Sequence, residues 1–151
     1  MTQTIRATYR VNAETMAILS AENGSYIYER EQEIFQCQER PLQIIRKSCL
    51  DGGASFAGRI DAVRHKTKLS KKLPIPINVS ENWYAFPTAG LRDYDCYWIF
   101  YHHIDKIEAT NRKCCNIYFH DQQWLPVKKS LYTLRTQMQR TGWVMSLFLT
   151  S

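Results

Sequence analysis

Residues 96–104 read CYWIFYHHI. In an extended chain Trp98 and Phe100 point to one side while Tyr97, Ile99 and Tyr101 point to the other, so both faces are apolar or aromatic. Such a strand is covered on both sides, which places it at the centre of a sheet. Downstream and upstream lie other short aromatic or β-branched runs: WYAFPT (83–88), KIEATN (106–111), CNIYFH (115–120) and QWLPV (123–127). Polar turns such as Leu91-Arg92-Asp93 and Asn111-Arg112-Lys113 separate them. Together they predict an antiparallel meander.

Toward the N-terminus the stretches IRATYRV, TMAILSA, SYIYER and EIFQCQ predict two antiparallel hairpins between Ile5 and Gln38, with Asn23-Gly24 supplying the φ > 0 residues of a turn. At Arg40-Pro41 the period changes. Proline suits a first helical position, Leu42, Ile45 and Cys49 recur at helical spacing, and Asp51-Gly52-Gly53 stops the helix. A second helix is expected from about Ser55 to His65, with Lys66 to Lys72 in the loop after it. The two prolines of LSKKLPIPINVS (69–80) predict an extended connector and exclude a central strand. From Ser130 onward Leu131, Leu134, Met138, Thr141, Met145 and Phe148 step by three and four, the stripe of a C-terminal helix. The fold class is therefore α+β: antiparallel hairpins and a meander with two central helices and a C-terminal helix. The end of the last helix, WVMSLFL (143–149), is apolar on nearly every side, and self-association or a further segment is expected to cover it.

The chain has 151 residues, which fits one domain over 1–151 and excludes a large multidomain enzyme. MTQTIRATYR holds no apolar signal region, and no run reaches the roughly 18 to 20 apolar residues of a membrane span. A cytoplasmic location without membrane contact is expected. Its net charge of +6 is unevenly spread. Residues 59–72 hold six Lys or Arg (Arg59, Arg64, Lys66, Lys68, Lys71, Lys72) against Asp61, a net of +5, and residues 128–151 hold Lys128, Lys129, Arg135 and Arg140 with no acid, a net of +4. The remainder is slightly acidic. Cations gathered this way predict a polyanion site, since Lys and Arg that neutralise phosphates release condensed counterions. A charge run also serves as an ordinary solvated face.

Other chemistry finds less support. His102, His103, Cys114, Cys115 and His120 lie close in sequence with Cys96, but adjacent residues of a strand point to opposite faces, so at most one of each pair is available to a tetrahedral metal site. The five cysteines form no C-x-x-C pair, and neither Cys49 nor Cys96 lies in a nucleophile signature. Gly52-Gly53 lacks the spacing of a phosphate loop. The aromatics Trp83, Tyr84, Phe86, Tyr97, Trp98 and Phe100 are better used as core than as base-stacking platforms. No cofactor, metal or enzymatic activity is expected.

Several words of the sequence occur in a specific order: RPLQIIRKSC (40–49), SFAGR (55–59), WYAFPT, C-Y-W-I-x-x-H-H-I-x-x-I-E-A-T (96–110), WLPV (124–127) and QMQRTGW (137–143). In these, residues 10–145 resemble the ComK family of competence transcription factors. The resemblance implies a cytoplasmic, nucleoid-associated activator that binds double-stranded DNA at paired A/T-rich boxes, largely through the minor groove. It further implies homo-oligomers, dimers assembling to a tetramer on DNA, control of DNA-uptake genes, and turnover through an adaptor of a Clp-type protease. Arg59 of SFAGR and Arg140 of QRTGW fall in the two basic segments and are the first candidates for DNA contact. The family continues past its R-T-x-W word with a tail that carries adaptor contacts, whereas this sequence ends at Ser151. A shortened, non-activating homologue that titrates partners as a protein-interaction module is therefore the alternative.

Overall fold

A computed structural model describes residues 5–149. Strands β1 (Thr15–Ala21) and β2 (Gly24–Glu29) form a hairpin, and β3 (Phe35–Cys37) pairs with β2. The hairpin loop is Glu22-Asn23, one residue before the expected Asn23-Gly24, because Ala21 pairs with Gly24. Gly24 has φ 145°, and a Cβ on it would stand 2.0 Å from the Cys37 carbonyl oxygen. The glycine thus serves the close approach of β3 as well as the bend. IRATYRV does not form the expected strand: it runs beside β3 with a parallel bridge from Arg6 to Cys37 and buries Tyr9 and Val11. A three-stranded run replaces the two hairpins.

Helices α1 (Pro41–Asp51) and α2 (Phe56–Thr67) come next. Pro41 starts α1, and its buried face is Ile44, Ile45, Ser48 and Cys49. Ser55 caps α2, its Oγ accepting from the Gly58 N–H at 2.9 Å. The helix runs two residues past His65 and ends at Lys68, whose left-handed φ of 63° lets its N–H reach the Arg64 carbonyl. Lys66 is therefore helical and not part of the loop. Arg59 turns inward: Nη2 donates to the Gly52 carbonyl at 3.1 Å, satisfying an orphan acceptor at the end of α1. Its Nε is buried without a hydrogen-bond partner among the described residues. Burial pushes the nearby Cys49 thiol up to about 11, with the Arg59 charge opposing that rise.

Strands β4 (Ile75–Asn78), β5 (Trp83–Pro87) and β6 (Trp98–Phe100) complete an antiparallel sheet of order β3-β2-β1-β6-β5-β4. The proline-bearing stretch makes its edge strand, where Pro76 is tolerated because one side of the strand needs no ladder donor. β6 is central, as expected, but shorter: it ends at Phe100, and Tyr101–His103 form a 3-10 turn. β1 and β5 occupy both of its edges, so the strand that follows cannot pair with β6 itself. β7 (Ile104–Ala109), β8 (Cys115–Phe119) and β9 (Trp124–Val127) form a second sheet, so the predicted meander divides in two. At the glycine-free turn before Trp124, Gln122 itself takes a positive φ of 77°.

Two apolar layers result. On one face of the six-stranded sheet Ile18, Ile27, Tyr84 and Trp98 pack with Ile44, Ile45, Phe56 and Val63 of the helices. On the other, Met16, Leu19, Phe86 and Ile99 meet Ile117, Phe119, Leu125 and Val127 of the second sheet. Helix α3 (Leu131–Leu149) touches both layers, through Leu134 in the second and Val144 in the first. WVMSLFL is thus better covered than its composition predicts: Val144 is fully buried, and Met145 and Phe148 pack on the helical layer. Trp143 and Leu149 remain 44% and 64% exposed. No helix among the described residues is long and apolar enough to cross a membrane.

The 3-10 turn also overturns the expected opposition of His102 and His103, whose rings lie 4.3 Å apart. His103 Nε2 donates to the Ala13 carbonyl at 2.7 Å. Burial, and then the neighbouring His103, push His102 down to about 4; burial also lowers His103. Both imidazoles are neutral in the folded chain at pH 7. Between pH 6.5 and 4 the unfolded chain therefore binds protons that the folded one refuses, and stability falls as pH drops through that window. The melting temperature is expected to decrease from pH 7 to pH 4.5, and His102→Gln to flatten the decrease; a pH-independent melting temperature across this range contradicts the assignment. Arg59→Ala, which frees the Gly52 carbonyl, is expected to cost about 1–3 kcal/mol in urea unfolding. A loss below about 0.5 kcal/mol contradicts that capping role.

Candidate nucleic-acid interface

The Lys68–Lys72 loop lies between α2 and α3 and is anchored from both. Arg64 Nη2 donates to the Ser70 carbonyl at 3.4 Å, and Arg140 Nη1 to the Lys71 carbonyl at 3.2 Å. From within, Gln137 Nε2 donates to the carbonyls of Lys72 at 2.9 Å and Pro87 at 2.8 Å. Residues almost seventy positions apart therefore present Arg64, Lys71, Lys72 and Arg140 around one loop. A groove lies on each side of it. Ile60, Arg64, Gly90 and Leu91 line one with the loop, and Tyr132, Thr133, Thr136 and Arg140 line the other. Tyr132, 81% exposed, stands at the second groove's lip.

Leu91 also belongs to a third groove, over the start of α1, that is lined by Arg40 and Arg92. The cationic track thus extends from Arg40 and Arg92 past Leu91 to Arg64, Lys71, Lys72 and Arg140, with Asp93 the acidic member of its first part. Segment-wise charge counting misses Arg40 and Arg92 because each lies in a stretch that is acidic on balance. That they line a groove sharing Leu91 with the one beside the loop is a tertiary fact, with no signal in sequence spacing.

The other sequence candidates are dispersed. Lys66 points its ammonium over the Phe148 ring at 5.4 Å from the centroid, near the end of α3. Lys68, the exposed cap of α2, is the first residue of the loop itself but lines neither of its grooves. Lys128 and Lys129 line a separate hollow with Thr88, Asp95 and Tyr97. Arg135 precedes Arg140 by five residues, which is about 140° around a helix, and its charge is felt by the Cys115 thiol of the second sheet. Arg59 faces the end of α1, as described above.

Four of the cations among the described residues are paired with carboxylates, and all four lie outside the two basic segments. Arg10 pairs with Asp51, Arg30 with Glu14 and Glu31, Lys47 with Glu39, and Lys106 with Glu108. None of the ten candidates forms an ion pair with a carboxylate of a described residue. Their field is left to solvent or to an external anion.

Burial is the leading influence on the thiols of Cys37, Cys49, Cys96 and Cys115, and it raises all four, away from the thiolate that a nucleophile requires. No group of three or more His, Cys, Asp or Glu residues among those described is arranged to hold a metal ion. Tyr84, Phe86, Trp98 and Phe100 are buried in the core, and Trp83 and Tyr97 are half-buried. Gly52 caps α1, as its sequence context predicts.

Comparison with known proteins agrees with the sequence words quoted above. The chain is 31% identical over 143 residues to the competence transcription factor of Bacillus subtilis (strain 168), an alignment that covers 93% of this chain and 74% of that protein. No solved structure matches. A family model described as "ComK protein" matches residues 6–150, and on that extent of agreement the chain belongs to the ComK family.

Proposed function

We propose that this protein is a sequence-preferring, double-stranded DNA-binding transcription activator of competence genes. The carrying observation is the convergence of Arg64, Lys71, Lys72 and Arg140, from two distant segments, around one loop with no carboxylate of a described residue paired to them. The similar protein from Bacillus subtilis is named a competence transcription factor, which supports the regulatory role. Backbone phosphates supply the affinity, and A/T-rich boxes supply discrimination through a narrow, electronegative minor groove that favours Arg and Lys. Residues 1–151 act as one DNA-binding unit in this reading, and the role is one of binding without catalysis.

The exposed Trp143 and Leu149 on α3 favour self-association, in keeping with dimers that assemble further on DNA. Action at the nucleoid, in the cytoplasm, and turnover by a Clp-type protease through an adaptor complete the reading. The same exposed residues favour a second one, a protein-interaction module that titrates partners without activating.

Fluorescence anisotropy with an A/T-box duplex and a G/C control across several salt concentrations decides between them. Four to six engaged cations give a slope of log K against log salt of about −4 to −5. Lys71→Ala combined with Lys72→Ala is expected to weaken both duplexes and to flatten the slope by about 2. Lys128→Ala combined with Lys129→Ala, in a separate hollow, is expected to change it less. Binding that is insensitive to salt, or equal in the parent and the Lys71/Lys72 variant, rejects this interface.

A further inference from the structure

Helix α3 carries a large polar residue on its buried face, one position away from the Met138 of its sequence stripe. Its buried positions are Leu134, Gln137, Thr141 and Val144, and Gln137 is only 3% exposed. The Thr141 hydroxyl is satisfied within the helix by the Gln137 carbonyl at 2.7 Å. The Gln137 side chain instead reaches outside its helix, its amide nitrogen donating to the Lys72 carbonyl just before β4 and to that of Pro87 at the end of β5. One amide group therefore ties the cationic loop to the sheet and to α3 at once.

The loop needs such a tie. Lys72 has φ 52°, a left-handed conformation that a non-glycine residue holds only where its surroundings impose it. The other anchors, from Arg64 and Arg140, are side chains with a competing use, since a phosphate offers a guanidinium a stronger, charge-assisted partner than a main-chain carbonyl does. Gln137 is an uncharged amide at the floor of the second groove, 3% exposed, and its nitrogen already donates to two main-chain carbonyls, so a phosphate competes for it far less than for a guanidinium. Its contacts persist when the arginines are drawn away.

We infer that Gln137 is the positioning residue of the duplex interface, its buried carboxamide holding Lys71 and Lys72 in register with Arg140. The inference rests on the reading of the 68–72 loop as a duplex contact. Pre-placed cations lose less side-chain and loop freedom on binding, and affinity rises accordingly.

A double-mutant cycle tests it, with the whole chain and the A/T-box duplex as probe. Gln137→Met keeps the length of the side chain and removes both donors. It is expected to weaken duplex binding by about tenfold in the parent and by less than about twofold in a Lys71→Ala/Lys72→Ala background. Amide hydrogen exchange is expected to quicken at residues 70–73 while β6 stays protected. Equal weakening in both backgrounds reveals a general loss of stability and overturns the inference, as does unchanged binding by Gln137→Met. Should Gln137→Met not fold, Gln137→Asn, one methylene too short to bridge both carbonyls, takes its place in the cycle. If the Lys71/Lys72 variant binds like the parent, the interface reading fails and the inference with it. If that variant is weakened but the cycle is additive, the interface stands and only Gln137's role falls.

Discussion

Burial of Trp98, Ile99 and Phe100 on both faces of β6 is the constraint from which the architecture follows. Leaving such a strand open on either side would forfeit roughly 1.5–3 kcal/mol for each large apolar side chain exposed. Helices α1 and α2 cover the Trp98 and Phe100 side, and the sheet of β7, β8 and β9 covers the Ile99 side. Helix α3 buries its own apolar face across the two layers, Leu134 reaching one and Val144 the other. That placement brings α3 against the 68–72 loop, so a demand of the core creates the meeting of two basic segments.

Surface ion pairs contribute little to stability, typically about 0–1 kcal/mol each. Their larger effect here is on the shape of the field. Glu14, Glu31, Glu39, Asp51 and Glu108 neutralise cations away from the loop, whereas Arg64, Lys71, Lys72 and Arg140, gathered around it, have no carboxylate paired to them among the described residues. A duplex gripped there would contact α2, the loop and α3 together. The arginines that anchor the loop at its ends are also the side chains best suited to phosphate, which links the order of the loop to the occupancy of the site.

Polar groups inside the molecule act at the joints. Arg59 closes the turn between α1 and α2, His103 ties the 3-10 turn to Ala13, and Gln137 ties the loop to β5. Each satisfies a main-chain carbonyl that regular secondary structure leaves available at an element's end. The apolar layers set which elements pack together. These hydrogen bonds set how the connecting segments lie.

Much was readable from residue order, and for definite reasons. Pro41, Ser55 and Gly52 mark helix ends through local chemistry, the apolar period identifies α3, and the two-faced character of residues 98–100 identifies the central strand. The α+β class follows from those elements. The division of the meander into two sheets does not, because periodicity tells which faces of an element are buried and is silent on what buries them. Nor does it show that Tyr101–His103 turn and bring two imidazoles together, or that IRATYRV lies beside β3 without becoming a full strand. Charge counting found both basic segments yet ranked Arg59 with Arg140, although one caps α1 from within and the other reaches the loop. It passed over Arg40 and Arg92 altogether. Linear order records how much charge a segment carries; direction and company are settled only when distant segments are packed against a shared core, since a helix turn of about 100° per residue sends neighbours to different surfaces.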